Sequence, residues 1–269
     1  MNICFIGGGN MANALIGGLL ARGFEATNIC VVEINADSRA RLEAQYAVRT
    51  ADNLLDGVPG SELIVLAVKP QQLHDVAQQL APLLQGQVLL SIAAGIRAQD
   101  LARWTNSQTI VRAMPNTPAL IGEGMTGLYA LPSVSAAQKQ QADTVLSAVG
   151  QTLWLDEEVQ LDAVTAISGS GPAYVFYLIE ALQAAGEKLN LSPAAARQLS
   201  LATFLGASKL AASSDEDVSV LRARVTSKNG TTERALLSLA ANHVDALIAE
   251  AAQAAADRAR EMGDELGNA

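Results

Sequence analysis

Ile3-Cys4-Phe5-Ile6-Gly7-Gly8-Gly9-Asn10-Met11-Ala12 sets four apolar residues, three glycines and the start of an apolar helix in a row. The order is strand, then G-x-G-x-x-A, then helix. Gly7 permits a tight turn, Gly9 lets the backbone approach a pyrophosphate, and Ala12 lets the helix lie close on the strand. A helix N-terminus presents unpaired N–H groups and a positive dipole end, which suits phosphate. Gly7, Gly8, Gly9, Asn10, Met11 and Ala12 are therefore the candidate pyrophosphate site.

Outward from this stretch, continuous apolar runs at 29–32, 63–68, 88–92 and 110–113 match the first strand at 3–6. Runs of this kind belong to strands buried on both faces, as in a parallel sheet. Helical segments at 10–22, 38–45, 71–80 and 98–104 alternate with them, which predicts a doubly wound α/β sheet of the Rossmann type. Two more strands, at 126–130 and 152–155, flank a helix at 135–149. Strand signals stop near Asp156-Glu157-Glu158, so residues 1–156 are read as a dinucleotide-binding domain and 157–269 as an all-helical domain. In the second part Tyr174, Tyr177, Leu178, Ala181, Leu182 and Ala185 follow helical spacing. So do Val244, Leu247, Ile248, Ala251, Ala252 and Ala255. Such stripes are core or subunit interface rather than a ligand box, and their small alanine faces suit an oligomer.

Composition limits the function classes. Half of the 269 residues are apolar and 17% are charged, with a net charge of −9. So acidic a chain lacks the basic face that nucleic acid binding needs. No apolar run reaches the roughly 20 residues that cross a bilayer, so no membrane role is expected. The apolar start lacks the basic residues of a signal peptide, and the expected address is cytoplasmic. Cys4 and Cys30 each sit inside an apolar run. They read first as small buried hydrophobes; if their runs are neighbouring strands, a redox pair is the alternative.

The end of the second strand sets cofactor choice. Glu33 stands 24 positions after Gly9, near the spacing of an acid that accepts from ribose hydroxyls. A carboxylate there repels a 2′-phosphate by on the order of 1–4 kcal/mol at 4 Å, a bias toward NADH over NADPH. In the other reading Glu33 faces solvent and Asn35 or Ser38 meets the phosphate. Later strands end in Ala67-Val68-Lys69-Pro70 and in Ser91-Ile92-Ala93-Ala94-Gly95. Their residues at 67–70 and at Ala93 and Ala94 line the carboxyl edge of the sheet, where ligands bind in such folds. Met114-Pro115-Asn116-Thr117-Pro118 adds a rigid two-proline turn.

Taken in order, G-x-G-N-M, A-V-K-P, S-I-A-A-G, R-A-M-P-N-T-P and S-G-S-G-P-A-Y resemble the pyrroline-5-carboxylate reductases. The likeness runs from Ile3 to the final helices. It implies an enzyme that makes L-proline by reducing the ring imine of 1-pyrroline-5-carboxylate with NADPH or NADH. It also implies a helical dimerisation domain intertwined with its twin, and a decamer of five dimers in many members. Asn53 would contact the cofactor. Ser170, Asn229, Gly230, Thr231 and Thr232 would hold the imino acid, with the Thr232 hydroxyl on the ring nitrogen as the catalytic contact. The family shows S-P-G-G-T-T where this chain has Ser227-Lys228-Asn229-Gly230-Thr231-Thr232. Asn tolerates left-handed backbone and Lys228 adds a cation, so carboxylate binding is retained in principle while the loop's shape is altered.

Other residues fit that chemistry. Pro172 has no N–H for the Ser168 carbonyl, which predicts a kink and a freed acceptor. His74 and His243, the two histidines, read as solvated helix residues. An alcohol dehydrogenase normally needs such a base, whereas a protonated cyclic imine is already the electrophile. Too few Cys and His are present for a metal site. A related imine or β-hydroxyacid reductase, or a dinucleotide-responsive binding protein, are the alternatives.

Overall fold

The computed structural model describes residues 1–267. Eight strands form one sheet: β1 (Ile3–Ile6), β2 (Ile29–Val32), β3 (Arg49–Ala51), β4 (Leu63–Leu66), β5 (Val88–Ser91), β6 (Ile110–Met114), β7 (Gly124–Ala130) and β8 (Gly150–Trp154). Their order is β3-β2-β1-β4-β5-β6-β7-β8. The first six run parallel; β7 joins β6 antiparallel, and β8 runs parallel to β7. The β-branched runs explain the sheet. Every residue of β1, β2, β4 and β5 is buried, as strands covered on both faces must be.

Helices α1 (Asn10–Ala21), α2 (Ala36–Tyr46), α3 (Leu54–Gly57), α4 (Pro70–Leu80), α5 (Ala98–Thr105) and α6 (Ala136–Ser147) alternate with the strands. On α1, Ala12, Leu15, Ile16 and Leu19 are buried. Each large member stabilises the fold by roughly 1.5–3 kcal/mol through removal from water. Gly18 is required there, because a Cβ would lie 2.5 Å from Val149 Cγ1 and 2.7 Å from the Ala148 carbonyl oxygen. Strand order turns between β1 and β4: the chain winds to β3 on one side and to β6 on the other. The carboxyl ends at that reversal form the crevice where ligands of doubly wound sheets bind.

Helices follow without further strands among the described residues: α7 (Gln160–Val164), α8 (Gly171–Lys188), α9 (Pro193–Ala212), α10 (Val218–Arg224), α11 (Thr231–Ala241) and α12 (Val244–Gly267). The compact units divide differently from the point at which strand signals end. One unit holds residues 1–170 and the chain from 254 onward; the other holds 171–253. Glu158 accounts for part of the difference. It is no solvated linker residue, since it pairs with the buried Arg112 at 2.5 Å and accepts the Ala98 N–H at 2.6 Å. The last turns of α12 belong to the sheet unit, with Arg97 on Asp264 at 2.6 Å and Arg103 donating to the Gly267 carbonyl at 2.6 Å.

Pro172 does not kink a continuous helix. A π turn at Thr165–Gly169 ends the preceding helix and α8 starts afresh at Gly171, so the proline falls in a first turn, where no N–H is needed. His74 is half-buried rather than fully solvated, its ring edge-on to Trp104 with centroids 5.0 Å apart. His243 sits between α11 and α12 with φ 51°. Among the described residues no single helix is long and apolar enough to cross a membrane.

In the 171–253 unit, no residue of α8 is buried. Phe176 is 66% and Tyr177 72% exposed, and Leu182, Leu199, Leu205, Leu237 and Ile248 are exposed with them. A single chain leaves this apolar surface in water, which marks it as an association surface.

Candidate active site

The glycine turn closes as the spacing requires. Gly7 has φ +98°, and a Cβ there would meet the Ala67 carbonyl oxygen at 2.8 Å. Gly9 differs: it is exposed, and nothing lies within 4 Å of the position of its Cβ. It caps α1 through its backbone alone, with no side-chain cap and no acidic residue in the first turn. The N–H groups of Asn10, Met11 and Ala12 therefore have no partner among the described residues, and they stand beside open space. This is a cradle for an anion. Asn13 holds its shape, donating through Nδ2 to the carbonyls of Gly8 (2.8 Å) and Gly9 (2.9 Å). The sequence reading passed over Asn13; a lone amide on an otherwise apolar helix was the available signal.

Glu33 turns toward that loop and not into solvent. Its Oε2 accepts the Gly8 N–H at 3.0 Å and its Oε1 the Asn35 N–H at 2.9 Å. The carboxylate thus ties the end of β2 to the turn after β1. Asn35 caps α2, its Oδ1 accepting the Ser38 N–H at 2.9 Å. Arg39, also overlooked, donates to the carbonyls of Glu33 (2.7 Å) and Ile34 (3.0 Å) and so fixes the bend.

Asn53 follows β3 at the same edge, but its side chain is engaged. Oδ1 caps α3 by accepting the Asp56 N–H at 3.0 Å, and Nδ2 donates to Asp52 and Asp56. After β4, Ala67 extends the ladder to Ile6, Val68 packs on the core, exposed Lys69 caps α4, and Pro70 occupies its first position. After β5, Ala93 is buried and Ala94 half-buried, leaving room for a flat ring. Together the open Gly9 position, the free N–H groups and these small residues fit a dinucleotide cofactor.

The two-proline turn is anchored by Asn116. Its Nδ2 donates to the Ser168 carbonyl and to Ser168 Oγ, both at 3.1 Å, while Oδ1 accepts the Met125 N–H at 2.9 Å. The Ser168 acceptor that Pro172 frees is thus taken up. Half-buried Ser170 lies next in the chain, its N–H bonded to the Thr165 carbonyl at 2.8 Å.

The loop before α11 lies in the other unit. Asn229 adopts φ 57°, the left-handed conformation that glycine would offer, so the substitution keeps that backbone. Its N–H donates to Glu233 Oε2 at 2.7 Å. Gly230 caps α11 without a side-chain bond, and a Cβ on it would strike Ser227 Oγ at 2.4 Å. The N–H groups of Thr231 and Thr232 have no partner among the described residues, nor does the Thr232 hydroxyl. Lys228 forms no ion pair among them. The arrangement offers donors and one cation to a small carboxylate.

A family model described as pyrroline-5-carboxylate reductase dimerisation matches residues 158–262, and one described as NADP oxidoreductase, coenzyme F420-dependent, matches residues 2–95. A pyrroline-5-carboxylate reductase of Pseudomonas aeruginosa is 49% identical over 98% of both chains. The chain belongs to the pyrroline-5-carboxylate reductase family. A solved reductase of this family from Coxiella burnetii superposes with a TM-score of 0.93 at 39% identity, covering 97% of this chain and 98% of that one. The Plasmodium falciparum pyrroline carboxylate reductase, solved with NADP bound, gives 0.87 at 29% identity over 98% of both. Fold class and enzymatic class follow from that membership: a Rossmann-type sheet with a helical dimerisation region, in an oxidoreductase.

Proposed function

We propose that the chain reduces the ring imine of 1-pyrroline-5-carboxylate to L-proline, the last step of proline synthesis, using NADPH and also NADH. Likeness to the Pseudomonas enzyme along the whole chain carries this reading, and both donor loops are intact in support of it. The bound dinucleotide supplies the hydride. Gly7 to Ala12 hold its pyrophosphate through backbone N–H groups, Glu33 or Asn35 meets the adenosine ribose, and Asn53 contacts the cofactor after releasing part of its cap. Ala67 to Pro70, with Ala93 and Ala94, leave a flat space for the nicotinamide. Gly230 and Thr231 bind the substrate carboxylate, Ser170 and Asn229 complete the substrate-binding set, and Lys228 adds a cation. The Thr232 hydroxyl contacts the ring nitrogen. The imine arrives protonated, so these residues orient an electrophile and need no histidine base.

The exposed apolar helices of the 171–253 unit pair with a second copy in an intertwined homodimer; five such dimers make a decamer, and the enzyme works in the cytoplasm. With NADPH carrying deuterium on the transferred position of C4, the product is expected to be L-proline with one deuterium on the former imine carbon. Proline without deuterium, or no proline, would overturn the reading.

Cofactor preference turns on Glu33. Removing its charge in Glu33→Gln is expected to raise the NADPH to NADH ratio of kcat/KM by several-fold to several-hundred-fold, the range of a 1–4 kcal/mol repulsion. Steady-state kinetics with both cofactors measure it. A ratio within twofold of the parent removes Glu33 from cofactor choice.

A further inference from the structure

β1 and β2 pair in register with Cys4 opposite Cys30, and β2 and β3 pair with Cys30 opposite Arg49. The three residues form one lateral row across three parallel strands, on the same face, since neighbours in a parallel register share a face. Adjacent strands lie about 4.8 Å apart, inside the 4.4–6.8 Å over which Cα atoms accommodate a disulfide. Both thiols are free. Cys4 is fully buried and Cys30 is 4% exposed, but Cys30 lines a cavity of about 130 Å³ with Asn28, Arg49, Gly57, Gly60 and Ser61. That cavity opens at the amino edge of the sheet, away from the glycine turn.

The electrostatics are unequal. Its hydrogen bond to Cys30, then burial, push the Cys4 thiol up. The hydrogen bond from Cys4, with the Arg49 charge, lowers the Cys30 thiol below the ordinary cysteine range, against the opposing effect of burial. A thiolate beside a cation and open to a cavity is the reactive form of cysteine. The mechanism proposed above uses neither residue.

We propose that Cys30 is a peroxide-sensitive thiol, resolved by Cys4 into a disulfide between β1 and β2. In the first step the Cys30 sulfur attacks a hydroperoxide oxygen; an S–O bond forms, the O–O bond breaks, and water (or an alcohol) leaves after protonation. In the second, the Cys4 sulfur attacks the Cys30 sulfenic acid; the S–S bond forms, the S–O bond breaks and water leaves. Two thiols lose two electrons and the peroxide gains them. The Arg49 guanidinium, which donates to the Asp56 and Gly57 carbonyls at 2.9 and 3.4 Å, adds positive charge at the cavity that Cys30 lines, and the cavity admits the oxidant.

The test exposes the full-length chain to hydrogen peroxide, quenches it, alkylates it under denaturing conditions and maps the peptides. The expected result is one intramolecular Cys4–Cys30 link per chain, lost on treatment with dithiothreitol. In Cys4→Ala, Cys30 is expected to stop at a sulfenic acid that a 1,3-dione reagent labels. In Cys30→Ala, Cys4 is expected to remain an alkylatable thiol. Two thiols still fully alkylated in the parent chain would overturn the proposal, as would oxidation of Cys4 in Cys30→Ala. The parent result alone decides the matter if either variant fails to fold.

Discussion

Gly9→Val is expected to weaken NADPH binding by at least about 100-fold, equivalent to ~2.7 kcal/mol, while the thermal midpoint of the cofactor-free protein stays nearly constant. The two halves of this prediction come from one fact. Nothing lies within 4 Å of a Cβ at Gly9, and its backbone (φ −72°, ψ −178°) is extended, which any residue adopts. The folded chain therefore has no objection to a side chain there; only a ligand drawn up to the N–H groups of Asn10, Met11 and Ala12 has one. Gly7 is the contrast, because φ +98° and the Ala67 carbonyl at 2.8 Å make any side chain there a folding defect. Calorimetric titration with NADPH, beside thermal unfolding without it, separates the two. Unchanged affinity would show that the pyrophosphate lies elsewhere.

Thr232→Val is expected to lower kcat by about 10- to 100-fold and leave the NADPH dissociation constant within twofold. A hydrogen bond to a charged group contributes roughly 1.5–3 kcal/mol, and each 1.36 kcal/mol is a decade in rate. Valine keeps the shape and branching of threonine. Because the Thr232 hydroxyl has no partner among the described residues, its removal orphans nothing there and stability is spared. Single-turnover rates with cofactor saturating give the effect on the chemical step. A loss of cofactor binding with normal turnover would assign Thr232 to the wrong ligand.

Much of the sheet was legible because its strands are continuous apolar runs. β1, β2, β4 and β5 begin where the sequence predicts, and the glycine turn takes the conformation its residues demand. β3 was missed for a physical reason: Arg49–Ala51 is a three-residue edge strand with one buried position, so no apolar run announces it. Missing β3 also hid the row that joins Cys30 to Arg49. The helix signal of α12 was clear, yet periodicity says which residues share a face and nothing about what covers it. Only the fold brings Asp264 to Arg97 and Gly267 to Arg103. At the site, the motifs located the loops but not their internal bonding. Glu33 spends its oxygens on Gly8 and Asn35, and Asn53 spends its amide on a cap. Such pairings depend on three-dimensional neighbours that one-dimensional spacing does not encode.

The central claim is that the donors at the sheet edge and the threonine loop serve one reaction, the reduction of a cyclic imino acid. Its most direct measurement is the loss of reduced-nicotinamide absorbance on adding 1-pyrroline-5-carboxylate to the purified chain, with NADPH and NADH run in parallel. The account predicts saturable turnover with matching accumulation of proline. Bound cofactor with no absorbance loss from either form would contradict it.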